Sequence, residues 1–125
     1  LMSQIDVYAS LANLLNIPMA QNEAIDSQVL TSAWLDHTQP GRTELVEESY
    51  TLSLRLGDWK YIAPAAGTND WIRDNKNIEG GLQPEPQLFY LPHDQAEQNN
   101  LATQEPELVK KHQRIIDKIV SRTTR

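Results

Sequence analysis

The sequence contains no cysteine, and this absence removes several kinds of chemistry at once. Disulfide bridges, thiolate metal sites and a cysteine nucleophile are all excluded for these residues. The cellular compartment stays open, because many exported bacterial proteins also lack disulfides.

Long apolar runs and runs of basic residues are missing as well. No stretch approaches the roughly 20 apolar residues of a membrane-spanning helix, and no signal peptide is visible. The formal net charge is −6, and the resulting negative field repels a polyphosphate backbone. The sequence therefore argues against membrane and nucleic acid as partners. We interpret Lys110, Lys111 and Arg114 as the solvated face of a helix.

The N-terminal residues have a helical pattern. Apolar residues recur at three- and four-residue spacing, at Ile5, Tyr8, Leu11, Ala12 and Leu15. This spacing predicts a helix that ends at Pro18, with Asp6 favouring its positive end. A short second helix is predicted to run from a cap at Asp26 or Ser27 to about Leu35. Because the chain opens inside a helical pattern, we expect that it was cut from something longer.

The middle of the chain has the two-residue period of β-strands. The predicted strands cover residues 43–48, 51–56, 59–63 and 87–91, and Gly57-Asp58 forms a hairpin turn between the second and third. A C-terminal helix is predicted from Pro106, with an apolar stripe at Leu108, Val109, His112, Ile115, Ile116, Ile119 and Val120. We expect Trp59 and Tyr61 to pack against this helix, with His112 at the boundary of the core.

This order of elements predicts an α+β fold, a small antiparallel sheet of about four strands packed by the C-terminal helix and preceded by N-terminal helices. The 125 residues are predicted to form one domain, in which 1–36 is a helical junction segment and 43–125 contains the sheet and the C-terminal helix.

Few residues suggest catalysis or metal binding. His93, Asp94 and Glu97 are conceivable metal ligands, but a turn after the last strand explains them more simply. Glu47 and Glu48 are adjacent in a predicted strand and so face opposite sides, which argues against a paired acid–base site.

Four segments, in order, resemble the C-terminal subdomain of the formylglycine-dependent sulfatases. Residues 5–18 resemble the family helix D-L-Y-P-T-L-L-D-L-A-G-I-P, and residues 26–35 resemble its D-G-x-S-L segment with the short helix that follows. Residues 57–62 are similar to the G-x-W-K-Y-I strand. Residues 87–102 are similar to E-L-Y-D-L-x-x-D-P-x-E-x-x-N-L-A. The chain departs from the pattern at Ala9, Asn16, Ser27, Tyr90 and Gln95, which affects local turns.

The resemblance implies a parent enzyme in which a hydrated formylglycine aldehyde attacks sulfur and a calcium ion polarises the sulfate. It also implies that both belong to a catalytic domain absent from this chain, since no C/S-x-P-x-R segment occurs here. Sulfatases of this type are often exported, so the resemblance points to a periplasmic or extracellular parent. The expected partners are the catalytic domain of the same polypeptide and sulfated carbohydrate.

The long aperiodic stretch 64–86 is the strongest candidate for a functional loop. It contains Trp71, Arg73 and Lys76, an aromatic side chain that can stack on a sugar and two cations that can meet a sulfate. We interpret these three as substrate-binding residues of the parent enzyme. The alternative is that Trp71 only packs the loop onto the sheet.

Two functions of different classes stay open, the first of them implied by the resemblance. The first is a non-catalytic subdomain that braces a sulfatase and lines its cleft, with an apolar face of the first helix that makes the isolated chain self-associate. The second is an independent binding module for acidic carbohydrate or protein. A free-standing enzyme is the weakest hypothesis.

Overall fold

A four-stranded antiparallel sheet and a long helix make up most of the second part of the chain in the computed structural model, which describes residues 1–66, 75 and 81–123. Its elements are a 3-10 helix Gln4–Asp6, α1 (Val7–Leu14), α2 (Thr31–Leu35), β1 (Glu44–Ser49), β2 (Thr51–Leu56), β3 (Trp59–Ile62), β4 (Gln87–Tyr90) and α3 (Pro106–Thr123). These elements confirm the α+β prediction. The chain divides into two units, Leu1–Leu45 and Val46–Arg125.

The sheet has the strand order β1-β2-β3-β4, so each strand pairs with the next along the chain. Leu54 lies opposite Tyr61, and Tyr61 lies opposite Leu88. These three side chains are at most 1% exposed and form one apolar row across the sheet. The turn between β2 and β3 uses Gly57 at a φ of 57°, the left-handed region that glycine adopts without a Cβ clash. The alternation in the sequence therefore predicted the buried face correctly.

The C-terminal helix α3 covers this apolar row. Ile116, 2% exposed, joins the core formed by Leu54, Tyr61, Leu88 and Ala102. The Tyr61 hydroxyl donates a hydrogen bond to Oε1 of Gln113 on α3 at 2.6 Å, and Trp59 packs against the same core. Each buried aliphatic side chain contributes about 1.5–3 kcal/mol, so α3 and the sheet stabilise each other. The prediction that Tyr61 packs against this helix is confirmed.

The segment after β4 protects the open edge of that strand. The Leu101 N–H donates to the Leu88 carbonyl at 2.8 Å, as a paired strand would. The Asn100 Oδ1 accepts from the backbone N–H groups of Leu88 and Ala102, both at 3.0 Å. An unpaired strand edge is a template for association with other chains. The Asn100-Leu101-Ala102 segment thus supplies hydrogen-bond partners for backbone groups of β4 that no further strand would pair.

The second helix begins later than predicted. It starts at Thr31, not at a cap on Asp26 or Ser27. The Gln28 N–H donates to Asp6 Oδ1 at 3.0 Å, and the Leu30 N–H donates to Ser10 Oγ at 2.9 Å. Because side chains of the first helical segment bind these backbone groups, residues 27–30 stay outside a helix.

A buried ion pair organises the first unit. Asp6 is fully buried, and both of its oxygens accept hydrogen bonds from Arg42, with Nη2 to Oδ1 at 2.6 Å and Nε to Oδ2 at 2.7 Å. The Ser3 N–H also donates to Oδ2 at 3.0 Å. Burial raises the pKa of Asp6, but the hydrogen bonds from Arg42, Gln28 and Ser3 outweigh it and hold the pKa below its ordinary value. Asp6 therefore lies at the start of the first helical segment, as predicted, and also joins Arg42, Gln28 and Ser3 in the interior of this unit.

Among the described residues, no helix combines the length and the apolar character that a bilayer crossing demands.

We predict that Asp6→Asn destabilises the first unit by about 3–5 kcal/mol, because the substitution leaves the Arg42 guanidinium buried without a counter-charge. The measurement is hydrogen exchange at the Ala9, Gln28 and Leu30 amides, which this unit protects through side-chain hydrogen bonds. The matched control is Asp36→Asn, which removes an exposed carboxylate from the same unit. Equal loss of protection in both variants would contradict the assigned role of Asp6.

Candidate functional site

The predicted substrate-binding residues Trp71, Arg73 and Lys76 lie outside the residues that the structure describes. The two ends of their loop are described. The Ala65 N–H donates to the Gln83 carbonyl at 2.9 Å, and Gln87 Nε2 donates to the Gly81 carbonyl at 2.6 Å. The loop therefore leaves and re-enters the fold at one place, beside the end of β3 and the start of β4.

A cleft of about 470 Å³ lies next to the start of this loop, between β2, β3 and α3. Leu52, Ala63 and Ile116 contribute apolar groups to it, and Thr51, Gln113 and Asp117 contribute polar groups. The cleft is open to solvent and combines an apolar floor with a few hydrogen-bonding groups. This cleft was not predicted, because its walls come from strands and a helix far apart in the sequence.

A chain of hydrogen bonds links the sheet to the cleft. Tyr61 donates to Gln113 Oε1 at 2.6 Å, and Gln113 Nε2 donates to Asp117 Oδ1 at 2.8 Å. Burial, and secondarily the Asp117 charge, raise the pKa of Tyr61, so its hydroxyl keeps its proton and acts as a donor. This chain fixes the orientation of Gln113 and leaves Asp117 as the charged acceptor at the cleft. The arrangement can hold hydroxyl groups by hydrogen bonds.

His112 is fully buried, which corrects the prediction of a boundary position. Its Nδ1 lies 2.7 Å from the Leu108 carbonyl oxygen, and because a carbonyl only accepts, Nδ1 carries the proton. Its Nε2 is buried without a hydrogen-bond partner in the described part of the chain. Burial lowers the pKa of His112, and the Leu108 hydrogen bond opposes this only in part. The imidazole is thus a neutral core group.

The acidic residues after β4 serve as turn and ion-pair partners. Asp94 accepts hydrogen bonds from the backbone N–H groups of Gln98 and Asn99 at 2.9 and 2.8 Å, which confirms the predicted turn. Glu97 binds Lys60 Nζ through both carboxylate oxygens at 2.7 Å. Lys60 therefore has a counter-charge within the second unit. In residues 1–66, 75 and 81–123, no group of three or more His, Asp or Glu side chains could hold a metal ion.

The sheet, its covering helix and the protected β4 edge together define a small α+β subdomain, and comparison with known proteins shows what it is similar to. No protein-family model matches the chain. The chain is 36% identical over 126 aligned residues, 98% of its length, to the N-acetylgalactosamine-6-O-sulfatase of Bacteroides thetaiotaomicron, and covers 24% of that protein. This similarity confirms the resemblance to the C-terminal subdomain of the sulfatases.

Solved structures agree with this identification. One is a protein designated BT33336S-sulf, from work on the metabolism of multiple glycosaminoglycans by Bacteroides thetaiotaomicron. It matches 94% of this chain with a TM-score of 0.81 and 35% identity, and the match covers 25% of that protein. Ps i-CgsB in complex with k-i-k-neocarrahexaose matches 90% of the chain and 23% of its own, with a TM-score of 0.63 at 17% identity, which shows the fold alone. The chain thus spans about a quarter of the length of the relatives it matches.

The buried His112 predicts a pH-dependent stability. Its ordinary pKa is 6.5 and its pKa in the folded state is lower, so below about pH 6.5 the unfolded state binds a proton that the folded state does not. The free energy of unfolding is therefore expected to fall as the pH decreases from 7 through this window, as measured by denaturant titration at several pH values.

Two histidine variants distinguish the contribution of His112 to this pH dependence from that of other titrating groups. His112→Leu should flatten the pH dependence below about pH 6.5, whereas His37→Gln, which alters an exposed histidine, should leave it unchanged. A pH dependence that persists in full in His112→Leu would assign it to a different group.

Proposed function

We propose that this chain is the non-catalytic C-terminal part of a sulfatase, where it braces the catalytic domain and contributes to the substrate cleft. The observation that carries the proposal is its near-complete match to about a quarter of a sulfatase of 36% identity. The nucleophile, formylglycine, and the calcium ion would then belong to the remaining polypeptide. The simplest test is to read the coding sequence upstream of Leu1. A C/S-x-P-x-R segment there supports the proposal, and a stop codon or an unrelated domain favours an independent binding module.

The outer face of α1 supports the bracing role. Tyr8, Leu11 and Leu15 are 53%, 42% and 63% exposed, whereas Ala9 and Ser10 on the other face are buried. Burying apolar surface from water is favourable by about 25 cal/mol per Å², so a contiguous apolar face of this kind favours a binding partner. In the proposed parent, that partner is the catalytic domain of the same polypeptide.

The loop at residues 64–86 is the proposed contribution to the substrate cleft. Its two ends are joined by the hydrogen bond from the Ala65 N–H to the Gln83 carbonyl, and Gln87 binds the Gly81 carbonyl on the C-terminal side of the loop. Trp71 offers a surface for stacking on a sugar ring, and Arg73 and Lys76 offer positive charge for a sulfate or carboxylate. A sulfated carbohydrate is the substrate class that this set of side chains fits.

We predict that Trp71→Ala in the intact enzyme lowers kcat/KM on its natural sulfated carbohydrate by about tenfold, the magnitude expected for loss of one stacking contact of 1–2 kcal/mol. Hydrolysis of a small chromogenic aryl sulfate should change little, because that substrate has no sugar to stack. Steady-state kinetics on both substrates gives the comparison.

Two matched substitutions serve as controls. Trp71→Phe keeps an aromatic ring and should retain most of the activity, and Lys110→Gln removes a lysine that is paired with Glu107 and should have no effect. Unchanged kcat/KM for Trp71→Ala on the natural substrate would exclude the loop from the cleft.

A separate prediction concerns the 125-residue chain in isolation. We expect it to self-associate through the outer face of α1, because the proposed partner of that face is missing. Sedimentation velocity at increasing concentration should show a rising sedimentation coefficient, which the double substitution Leu11→Glu and Leu15→Glu should abolish. A clean monomer at high concentration would count against an apolar docking face.

A further inference from the structure

The solvent-facing side of α3 carries three positive charges in a row. Lys111, Arg114 and Lys118 are spaced three and four residues apart, which places them on one face of the helix, and all three are exposed. They extend over about 10 Å of the helix axis. These three cations contribute nothing to the core or to the pairing of β4, because α3 packs on the sheet through the opposite side of the helix.

The three cations form no ion pair at contact distance within the described residues, unlike their neighbour, and the charge of Arg114 acts on Glu107 only at longer range. Lys110 forms an ion pair with Glu107 at 2.7 Å. Within the described part of the chain, Lys111, Arg114 and Lys118 have no carboxylate within ion-pair distance. Their positive charge therefore remains available to an external anion, on a chain whose formal net charge is −6.

The cationic row lies beside the cleft between β2, β3 and α3. Asp117 and Ser121, which line the cleft, are three residues after Arg114 and three residues after Lys118. Residues three apart on a helix are neighbours on its surface. A ligand in the cleft would therefore meet hydroxyl-binding groups on one side and positive charge on the other.

We propose that this surface is a second carbohydrate-binding site, in which the cleft holds one sugar unit and Arg114 and Lys118 bind its sulfate group or that of the adjoining unit. This inference rests on the proposed function and extends it, because it assigns a sulfated polysaccharide to a site separate from the loop at residues 64–86. The cleft, about 470 Å³, is in the size range of sites for small ligands. Asp117 and Thr51 accept hydrogen bonds from ring hydroxyls, and the apolar floor contacts the sugar ring.

The chemistry of the site favours a sulfated sugar over a nucleic acid. Asp117 stands at the cleft as a carboxylate, which accepts hydrogen bonds from sugar hydroxyls and repels any anionic group inside the cleft, so a sulfate group would lie on the cationic side. The overall negative charge of the chain adds to the repulsion of a continuous polyphosphate. A sulfated sugar presents both hydroxyl groups and isolated negative charges, which matches the two halves of the site.

The test is direct binding of size-defined chondroitin 6-sulfate oligosaccharides to the intact protein, in parallel with the same oligosaccharides after chemical desulfation. The Arg114→Gln, Lys118→Gln double variant should lose about tenfold in affinity for the sulfated probe, with a weaker dependence on salt, and little for the desulfated one. Lys110→Gln is the control, because that lysine is already neutralised by Glu107.

A further substitution tests the cleft by the sign of its effect. Asp117→Ala should weaken the binding of both probes if the carboxylate binds hydroxyl groups. A purely electrostatic surface predicts the opposite, stronger binding of the sulfated probe once a negative charge is removed. Stronger binding would overturn the site, as would equal losses in Lys110→Gln and the double variant, or equal competition by single-stranded DNA of matched charge.

Turnover of a small aryl sulfate, measured on the same samples, separates this inference from the proposed function. Turnover without oligosaccharide binding would refute the second site and leave the proposed function intact. Binding that follows the predicted variant pattern without turnover would support the site and refute the sulfatase assignment.

Discussion

A sheet of four short strands needs one face covered by apolar groups, and the second unit depends on this constraint. Leu54, Tyr61 and Leu88 form the row that must be buried, and Ile116 of α3 completes the core. Because most of the stability of a helix in a protein comes from packing its apolar face, α3 depends on its contact with the sheet. The opposite, solvated side of the same helix then becomes free to carry charge, which is where the cationic row lies.

Polar contacts have a larger part in holding the first unit together than they have in the second unit. Asp6 is fully buried and binds Arg42 and two backbone N–H groups, while Ser10 receives the Leu30 N–H. These contacts use the side of α1 next to residues 27–31 and leave Tyr8, Leu11 and Leu15 exposed. The first unit therefore combines buried polar contacts with an apolar face that stays exposed on α1. An exposed apolar face is consistent with the finding that the chain matches only about a quarter of the length of its relatives.

The functional proposals place carbohydrate contacts at two separate features of the second unit. The two ends of the loop at residues 64–86 are joined by the Ala65–Gln83 backbone hydrogen bond, and the cleft beside it is bounded by β2 and α3. Only the loop residues Trp71, Arg73 and Lys76 were apparent from the sequence, since their residue types suit sugar and sulfate recognition without reference to a fold. The cleft was not apparent, because Thr51 and Asp117 are 66 positions apart and share no motif.

The sequence by itself determined the strands, the two terminal helical segments and the apolar face of each, because these follow from side-chain periods of two and of about 3.6 residues. It also determined the turn at Gly57 and, through four short segments in order, the similarity to the C-terminal part of a sulfatase. Only the tertiary structure decided which polar residues meet. Asp6 and Arg42 are 36 residues apart, and Lys60 and Glu97 are 37 apart. Charge pairs have no periodicity, so their partners follow from the path of the folded chain, as do the late start of α2 and the complete burial of His112.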